Sequence, residues 1–260
     1  MSKGRRLVGL ALGGGAVRGL AHLGVLTVLE REGIPIDCVS GTSIGSLIGA
    51  AYCAGIKTQE MKEIAARIGW RDLVGPTWPV QGFVTLAKME RWMTAMAGDL
   101  IFDELATPFA VMATDVESGQ PVVLREGRLA PAVRASCSVP GIMAPVKMNG
   151  RLLGDGGVTD NVPVAAVRAL GADYVIGVDV CRPAPRRRWG PLGAGLTALE
   201  TLVRHAGEGV RRADCLISPD LTGLSYVRFS RREALIAQGA RATEKKLPLI
   251  WAALSAHDGS

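Results

Sequence analysis

One short motif, Gly41-Thr42-Ser43-Ile44-Gly45, restricts the fold of this chain more than any other stretch. An apolar run precedes it and a second apolar run follows, which is the pattern of a β-strand that passes into a helix. A serine between two glycines at such a junction is typical of a nucleophile elbow, a sharp turn in which Gly41 and Gly45 leave room because they lack a Cβ atom. The motif therefore predicts that Ser43 is exposed at a helix N-terminus, where the partial positive charge favours a developing alkoxide. The alternative is that Thr42 or Ser43 only caps the helix that runs to about residue 55.

The order of strand and helix signals predicts a mainly parallel sheet. A buried strand over 6–12, a glycine loop and a helix over 20–32 are followed by a strand over 36–40 and the helix over 44–55. Two βα units in close succession are typical of a parallel sheet that is covered by helices on both faces. Further strands are expected over 109–115, 120–124, 174–180 and 214–217, a hairpin over 146–153 with its turn at Asn149-Gly150, and further helices over 58–68, 129–136, 163–170, 196–212 and 231–256.

The length and composition of the chain indicate one α/β domain over residues 1–260. The chain has 260 residues, of which 48% are hydrophobic and 21% are charged, and no apolar run is long enough to span a bilayer. Residues 1–12 imitate a signal peptide, but glycines and Arg18 interrupt the apolar part, so we expect no cleaved leader. Residues 182–195, rich in proline, glycine and arginine, are predicted to form a mobile loop, and residues 196–256 to supply C-terminal helices.

Charge, cysteine and histidine content narrow the classes of partner. The five cysteines form no C-x-x-C pair, which favours free thiols in a reducing compartment and no zinc site. The three histidines lie far apart in the chain, and no carboxylate cluster matches a calcium or zinc pattern, so we expect no metal. The net charge of +6 attracts anionic surfaces, but the basic residues form no aromatic platform or recognition helix, so nucleic acid is not expected as a partner.

Residues 70–96 differ in character from the rest of the chain. They contain three of the five tryptophans, one phenylalanine and three methionines, interspersed with prolines. Such a segment is typical of a lid or an interfacial patch. The alternative is a satellite helix over 85–97 that packs on the core, and the sequence leaves both interpretations open.

The glycine-rich loop Gly13-Gly14-Gly15-Ala16-Val17-Arg18-Gly19 follows the first predicted strand. A dinucleotide fingerprint requires glycine or alanine at the sixth position, where Arg18 stands, and a phosphate-binding P-loop requires a Gly-Lys-Ser/Thr ending that is absent. A run of backbone amides at a helix N-terminus with a guanidinium behind them indicates an oxyanion hole or an anion nest.

The stretch Asp155-Gly156-Gly157 adds a carboxylate to the serine and the glycine loop. Asp-Gly is common in turns, so Asp155 alone indicates little. Together, however, the three stretches offer a nucleophile, a base and an oxyanion site, which are the parts that an acyl hydrolase requires.

In this order, the glycine loop, the Ser43 motif and Asp155-Gly156-Gly157 resemble the three signature blocks of the patatin-like phospholipase family, over roughly residues 7–180. The resemblance, which is greatest to compact bacterial members and lysophospholipase-type cores, implies a three-layer α/β/α sandwich that hydrolyses acyl esters, often of lipids, without a metal or organic cofactor. It implies that Ser43 is the nucleophile and Asp155 the base of a catalytic dyad. It further implies that the amides of Gly13, Gly14 and Gly15, together with Arg18, stabilise the oxyanion. Gly41 and Gly45 would then shape the elbow, and Gly156 and Gly157 would support the acid.

Two alternatives remain open. The first is a triad hydrolase, an esterase or thioesterase of α/β-hydrolase type, whose histidine would be His205, because it follows the serine and the acid in the expected chain order. Against it, His205 lies within a predicted helix, His22 is better placed to support the glycine loop, and His257 is close to the C-terminus. The second is a lipid- or partner-binding module that keeps the fold. We expect a cytoplasmic location, or one peripheral to the inner membrane face with transient membrane contact, and the sequence leaves the oligomeric state open.

Overall fold

The computed structural model describes residues 5–78, 81–182 and 190–258. Its strands are β1 (Val8–Leu12), β2 (Cys38–Thr42), β3 (Gly75–Pro76), β4 (Val84–Thr85), β5 (Phe109–Asp115), β6 (Pro121–Leu124), β7 (Val146–Met148), β8 (Arg151–Asp155), β9 (Tyr174–Val178) and β10 (Cys215–Ile217). Its α-helices are α1 (Ala21–Arg31), α2 (Ile44–Cys53), α3 (Thr58–Arg67), α4 (Trp70–Leu73), α5 (Ala87–Ala97), α6 (Leu129–Ser136), α7 (Val164–Arg168), α8 (Pro191–His205), α9 (Gly209–Arg212), α10 (Arg232–Glu244) and α11 (Leu247–Asp258). Short 3₁₀ helices cover Ala16–Leu20, Phe102–Glu104, Gly156–Val158 and Phe229–Arg231.

The main sheet confirms the predicted α/β architecture. Its strand order is β10-β9-β1-β2-β5-β8-β7, with β6 also paired to β5. Neighbouring strands from β10 to β5 run parallel, whereas β6, β7 and β8 make antiparallel pairs. The fold is therefore a mainly parallel sheet between two layers of helices, as predicted. Among the described residues, no helix is long and apolar enough to cross a membrane.

The two helical layers differ in thickness, and alternate residues of β1 show this because they face opposite sides of the sheet. On one side, Leu10 and Leu12 of β1 are fully buried in the large core formed with α1, α2, α3, α5, α6 and α10. On the other side, Gly9 and Ala11 meet the short helix α7, and a Cβ atom on Gly9 would collide with the side chain of Val167. The thick layer is therefore the side on which a sizeable apolar cavity can form.

Strand β5 brings two strand ends together. It pairs with β2 over 109–112, with β6 over 111–114 and with β8 over 113–115. Because β6 overlaps both other registers, β2 and β8 must share the opposite edge of β5. Thr42 lies opposite Met112 and Asp155 lies opposite Ala113, so the carboxyl ends of β2 and β8 meet head to head.

Two local predictions are confirmed by the backbone. Asn149 and Gly150 both have positive φ angles, 49° and 76°, in the two-residue turn between β7 and β8, as a type I′ hairpin requires. Helix α5 occupies Ala87–Ala97 and packs on the core through Met89 and Met93, which are 2% and 9% exposed. The satellite-helix interpretation of this segment therefore describes its helical part.

The C-terminal helices differ from the prediction at three points. Residues 191–195 are helical, because α8 begins at Pro191, whereas 183–189 of the predicted mobile loop lie outside the described residues. The predicted helix over 196–212 is two helices, since Gly207 adopts a φ of 72° between α8 and α9. The predicted helix over 231–256 is also two helices, because Pro248 lies in the first turn of α11 and cannot continue a preceding helix.

Helix α10 packs so closely against α1 that glycine is required at the crossing. A Cβ atom on Gly24 would meet the backbone of Ile236, and one on Gly239 would meet the carbonyl of Ala21. Leu235 of α10 is buried in the same core as β1. The glycine loop at the start of α1 is therefore held against the C-terminal helices.

Candidate active site

Ser43 is the first residue after β2 and adopts a strained backbone conformation. Its φ of 52° and ψ of −126° are unfavourable for a residue with a Cβ atom. The turn is possible because a Cβ atom on Gly45 would collide with the Leu12 carbonyl, and one on Gly41 would collide with the backbone of Gly45. The two glycines thus permit the sharp change of direction that the sequence motif predicts for a nucleophile elbow.

Two buried hydroxyl groups hold the backbone of Ser43 in this conformation. The Ser136 Oγ accepts a hydrogen bond from the Ser43 amide at 2.8 Å and donates one to the Met112 carbonyl at 2.6 Å. The Ser46 Oγ donates to the Ser43 carbonyl at 2.6 Å. Sequence analysis missed Ser136, because an isolated serine at the end of a helix gives no recognisable signal.

The side chains of Ser43 and Asp155 are joined directly. The Ser43 hydroxyl donates a hydrogen bond to Oδ2 of Asp155 at 2.6 Å, and the Gly157 amide donates to Oδ1 at 2.8 Å. The aspartate is 7% exposed. Burial raises its pKa to about 6, although the hydrogen bonds from Ser43 and Gly157 act in the opposite direction.

The glycines after Asp155 leave room for this arrangement. A Cβ atom on Gly156 would collide with the Met112 carbonyl. A Cβ atom on Gly157 would lie 3.0 Å from Oδ1 of Asp155 and 3.1 Å from Oδ1 of Asn161. Glycine at position 156 therefore allows close packing on β5, and glycine at position 157 allows the backbone to approach the Asp155 carboxylate.

The glycine loop passes beside the serine, but its amides differ in availability. A Cβ atom on Gly14 would lie 3.2 Å from the Cβ of Ser43. The Gly13 amide donates to the Val178 carbonyl at 3.0 Å, and the Gly14 amide is shared between the carbonyl and the side-chain oxygen of Asn161. None of the described residues accepts a hydrogen bond from the amides of Gly15 or Ala16.

The described contacts of the Arg18 side chain are to residues 221–226. The side chain is 3% exposed and donates to the carbonyls of Leu224 at 3.0 Å and Leu221 at 3.2 Å. Its guanidinium also stacks on the ring of Tyr226, at 4.0 Å from the centroid. Through these contacts Arg18 ties the glycine loop to residues 221–226.

Among the described hydrogen bonds, none joins a histidine to Ser43 or Asp155. His22 is fully buried, and its Nε2–H donates to the Gly13 carbonyl at 2.8 Å, while burial lowers its pKa to about 4. His205 is exposed at the last residue of α8, and His257 lies in α11. Among the described residues, the polar partners of the Asp155 carboxylate are Ser43 and Gly157.

An apolar cavity opens from Ser43 into the thick helical layer. Its volume is about 170 Å³, and it lies between α2 on one side and α3, α4 and α5 on the other. Its walls are almost entirely hydrocarbon or aromatic, and they include Leu20, Leu47, Met61, Trp70, Met89, Trp92, Met93, Met96 and Phe229. The arrangement combines a serine and a buried carboxylate with space for an apolar substrate group.

Comparison with known proteins agrees with this fold. The family model of the patatin-like phospholipases matches residues 10–168. Lysophospholipase NTE1 of Eremothecium gossypii is 38% identical over 179 residues, which is 66% of this chain and 12% of the relative, and the Saccharomyces cerevisiae protein is 36% identical over the same share of this chain and 11% of its own length. This chain thus spans only about an eighth of these relatives.

Two solved structures show the same fold at low sequence identity. VipD of Legionella pneumophila superposes with a TM-score of 0.63 and 13% identity, over 96% of this chain and 68% of VipD. The type III effector protein ExoU superposes with a TM-score of 0.52 and 13% identity, over 96% of this chain and 54% of ExoU. Because the family model covers more than half of the sequence, the chain belongs to the patatin-like phospholipase family.

Proposed function

We propose that this protein hydrolyses carboxylic esters of lipids, with Ser43 as the nucleophile and Asp155 as the general base. The proposal rests on the hydrogen bond of 2.6 Å from the Ser43 hydroxyl to the Asp155 carboxylate, at a strained elbow that borders an apolar cavity. A nucleophile within hydrogen-bonding reach of its base is the geometry that covalent catalysis requires.

The reaction proceeds in two halves. In the first, Asp155 accepts the proton of the Ser43 hydroxyl while Oγ attacks the ester carbonyl, and the protonated carboxyl then gives this proton to the leaving alkoxide as the acyl-enzyme forms. In the second, Asp155 accepts a proton from water and the resulting hydroxide attacks the acyl-enzyme. Asp155 then returns this proton to the Ser43 oxygen as the fatty acid leaves. The cycle consumes one water and needs no cofactor.

The burial of Asp155 suits it to this role. An aspartate with an ordinary pKa is a weak base for a hydroxyl group, and a pKa of about 6 reduces that mismatch. The carboxylate is still ionised at neutral pH, as a base must be. The N-terminus of α2 also favours the negative charge that develops on Oγ.

We assign the oxyanion to the second part of the glycine loop. The amides of Gly15 and Ala16 have no acceptor among the described residues, whereas those of Gly13 and Gly14 already donate within the protein. In this proposal Gly13 and Arg18 shape the loop, Gly14 allows it to approach Ser43, and the following amides bind the oxyanion.

The cavity supports an acyl chain as the apolar part of the substrate. Its walls offer hydrocarbon contacts next to Ser43, which is where the chain of a fatty acyl ester would extend from the reacting carbonyl. The relatives with 36–38% identity are named lysophospholipases. We therefore propose lipid acyl esters of the lysophospholipid type as the substrate class.

The proposal predicts selective covalent labelling of Ser43. We expect a fluorophosphonate to add one adduct to the parent protein, because Ser43 is the serine whose hydroxyl contacts a buried carboxylate. Intact-mass spectrometry should show one adduct on the parent protein and none on Ser43→Ala, with hydrolysis of a short-chain nitrophenyl ester lost in parallel. An adduct that persists in Ser43→Ala would refute the assignment of the nucleophile.

We further propose that the protein contacts membrane surfaces through residues beside the cavity. Trp78 and Phe83 are 83% and 69% exposed, and Phe83 precedes β4, which adjoins the cavity residues Leu86 and Met143. Arg71, which is also exposed, belongs to the same region. Exposed aromatic side chains with nearby cations are typical of interfacial binding to anionic lipid. The five free cysteines suit a reducing compartment, so we place this contact at a cytoplasmic membrane face.

Replacing Trp78 and Phe83 with alanine tests this contact. We expect binding to vesicles that contain phosphatidylserine to fall on the order of tenfold, because two interfacial anchors are lost. Hydrolysis of a monomeric short-chain ester should be unchanged. Trp251→Ala is the control, since Trp251 is exposed on α11, outside this region. Equal loss of activity on monomeric and aggregated substrates would contradict membrane contact and indicate an effect on folding.

A further inference from the structure

One stripe of α2 runs along the cavity away from Ser43. Ile44, Leu47 and Ala51 of α2, with Ala54 directly after its last residue, follow the helical spacing i, i+3, i+7 and i+10, and all four line the cavity. The opposite face of α2 packs on the sheet, where a Cβ atom on Gly49 would collide with the ring of Phe109. The cavity therefore follows the axis of α2, starting at the residue that carries the reacting hydroxyl.

The side chains of this stripe become smaller with distance from Ser43. Ile44 and Leu47 stand next to the nucleophile, whereas Ala51 and Ala54 contribute only methyl groups. The facing walls contain long side chains, including Met61 and Met89, which are 6% and 2% exposed and pack tightly into the core. The far part of the cavity thus depends on the two alanines.

The length of this stripe corresponds to a long acyl chain. With a rise of 1.5 Å per residue, the eleven steps from Ser43 to Ala54 span about 16 Å, and the eight steps from Ser43 to Ala51 span about 12 Å. An extended hydrocarbon chain with bonds of about 1.5 Å advances roughly 1.3 Å per carbon. The two spans therefore correspond to about twelve and about nine carbons.

We propose that the acyl chain of the substrate extends along α2 and that Ala51 and Ala54 set its maximum length, so that the preferred substrates are esters of fatty acids with about twelve carbons. This inference rests on the proposed function, since it names the acyl group that the Ser43 site accepts. Ala51 and Ala54 act as specificity-determining residues and take no part in the chemical step.

The test is a comparison of chain-length profiles. The kcat/KM of the parent, Ala51→Leu and Ala54→Leu would be measured with nitrophenyl butyrate, octanoate and dodecanoate below their critical micelle concentrations. For the parent we expect kcat/KM to rise by up to about fourfold per methylene as the chain lengthens, because each buried methylene gains contact with the cavity. All three proteins should hydrolyse the butyrate equally, within about twofold.

The two variants should lower the longest acyl chain that is hydrolysed efficiently, by different amounts. Ala54→Leu should keep the octanoate activity and lose about tenfold on the dodecanoate, because it blocks only the far end. Ala51→Leu should lose on the order of a hundredfold on the dodecanoate and should also lose activity on the octanoate. Ala252→Leu, at an exposed position of α11, is the matched control and should keep the parent profile.

The outcomes distinguish a failure of the proposed function from a failure of the inference on acyl-chain length. If the parent protein neither hydrolyses any of the esters nor reacts with a fluorophosphonate at Ser43, the proposed function itself fails. If the parent is active and both variants keep its chain-length profile, the acyl chain does not follow α2 and the inference is overturned. Thermal unfolding identifies a variant that does not fold. In that case the other variant carries the test, and a parallel loss on the butyrate counts against the inference.

Discussion

Asp155→Asn is expected to lower kcat for ester hydrolysis by about 10³- to 10⁴-fold while leaving the fold intact. Asparagine has nearly the same shape, and its side-chain oxygen can still accept the hydrogen bond from the Gly157 amide. In the parent protein the Ser43 hydroxyl donates to Oδ2 of Asp155 at 2.6 Å. The asparagine amide, however, cannot take this proton. Steady-state kinetics with a soluble ester, and circular dichroism to verify folding, measure the effect.

Asp160→Asn is the matched control for this variant. Asp160 lies five residues further along, is half-buried, and burial raises its pKa to about 7, so it resembles Asp155 in environment. Its Oδ1 atom has no hydrogen-bond partner in the part of the chain that the structure describes. We expect Asp160→Asn to keep activity within about threefold, as for a residue without a role in the chemistry. If Asp160→Asn were inactive and Asp155→Asn active, the general base would be misassigned.

The activity of the parent protein should fall at acid pH with an apparent pKa near 6. Below that pH the Asp155 carboxyl becomes protonated and can no longer accept the Ser43 proton, so kcat/KM should drop about tenfold per pH unit, to roughly a hundredth of the plateau at pH 4. The profile should be the same in His205→Ala, because no histidine titrates in the proposed mechanism. An acid limb that disappears in His205→Ala would contradict this assignment.

The same raised pKa predicts that the Asp155 carboxylate, the proposed general base, destabilises the folded protein. Asp155 has a pKa of about 6 when folded against a reference value of 3.8, so the folded state binds its proton more tightly than the unfolded state does. The resulting penalty is absent below pH 3.8, grows between pH 3.8 and about 6, and is constant above, at roughly 3 kcal/mol. Urea unfolding should therefore show Asp155→Asn more stable than the parent at pH 8 and little different at pH 4.

The local features of the site could be predicted from the sequence because each depends on neighbouring residues. The elbow needs Gly41 because a Cβ atom there would collide with the backbone of Gly45 and Ser46, which belong to the same βα unit. The turn at Asn149-Gly150 likewise needs only two residues with positive φ. The family resemblance implies which serine and which aspartate form a pair.

The meeting of Ser43 and Asp155 depends on contacts that no local pattern reports. Ser43 and Asp155 are 112 residues apart in the sequence. Their strands share one edge of β5, where β2 ends opposite Met112 and β8 ends opposite Ala113. The role of Ser136 has the same origin, since α6 packs beside β5 and brings its last residue to the Ser43 amide. The pairing registers of β2 and β8 with β5 are set when the whole sheet assembles, so a local sequence pattern does not reveal them.

The glycine loop shows a related limit. The sequence makes Gly13, Gly14 and Gly15 look equivalent, but the Gly13 amide belongs to the junction with β9, and that of Gly14 is taken by Asn161. Similarly, the Arg18 side chain donates to the carbonyls of Leu221 and Leu224, which lie more than 200 residues away along the chain. Which donors remain available is decided by partners that are distant in sequence.

The most direct test of the Ser43–Asp155 dyad is the hydrolysis rate of His205→Ala measured beside those of Asp155→Asn and Ser43→Ala. Each protein would be assayed with the same soluble ester after circular dichroism has verified its fold. We expect His205→Ala to retain activity within about threefold of the parent, because His205 is exposed at the end of α8, while Asp155→Asn and Ser43→Ala fall to background. A folded His205→Ala protein as inactive as Ser43→Ala would contradict the dyad and make Asp155 the orienting acid of a triad.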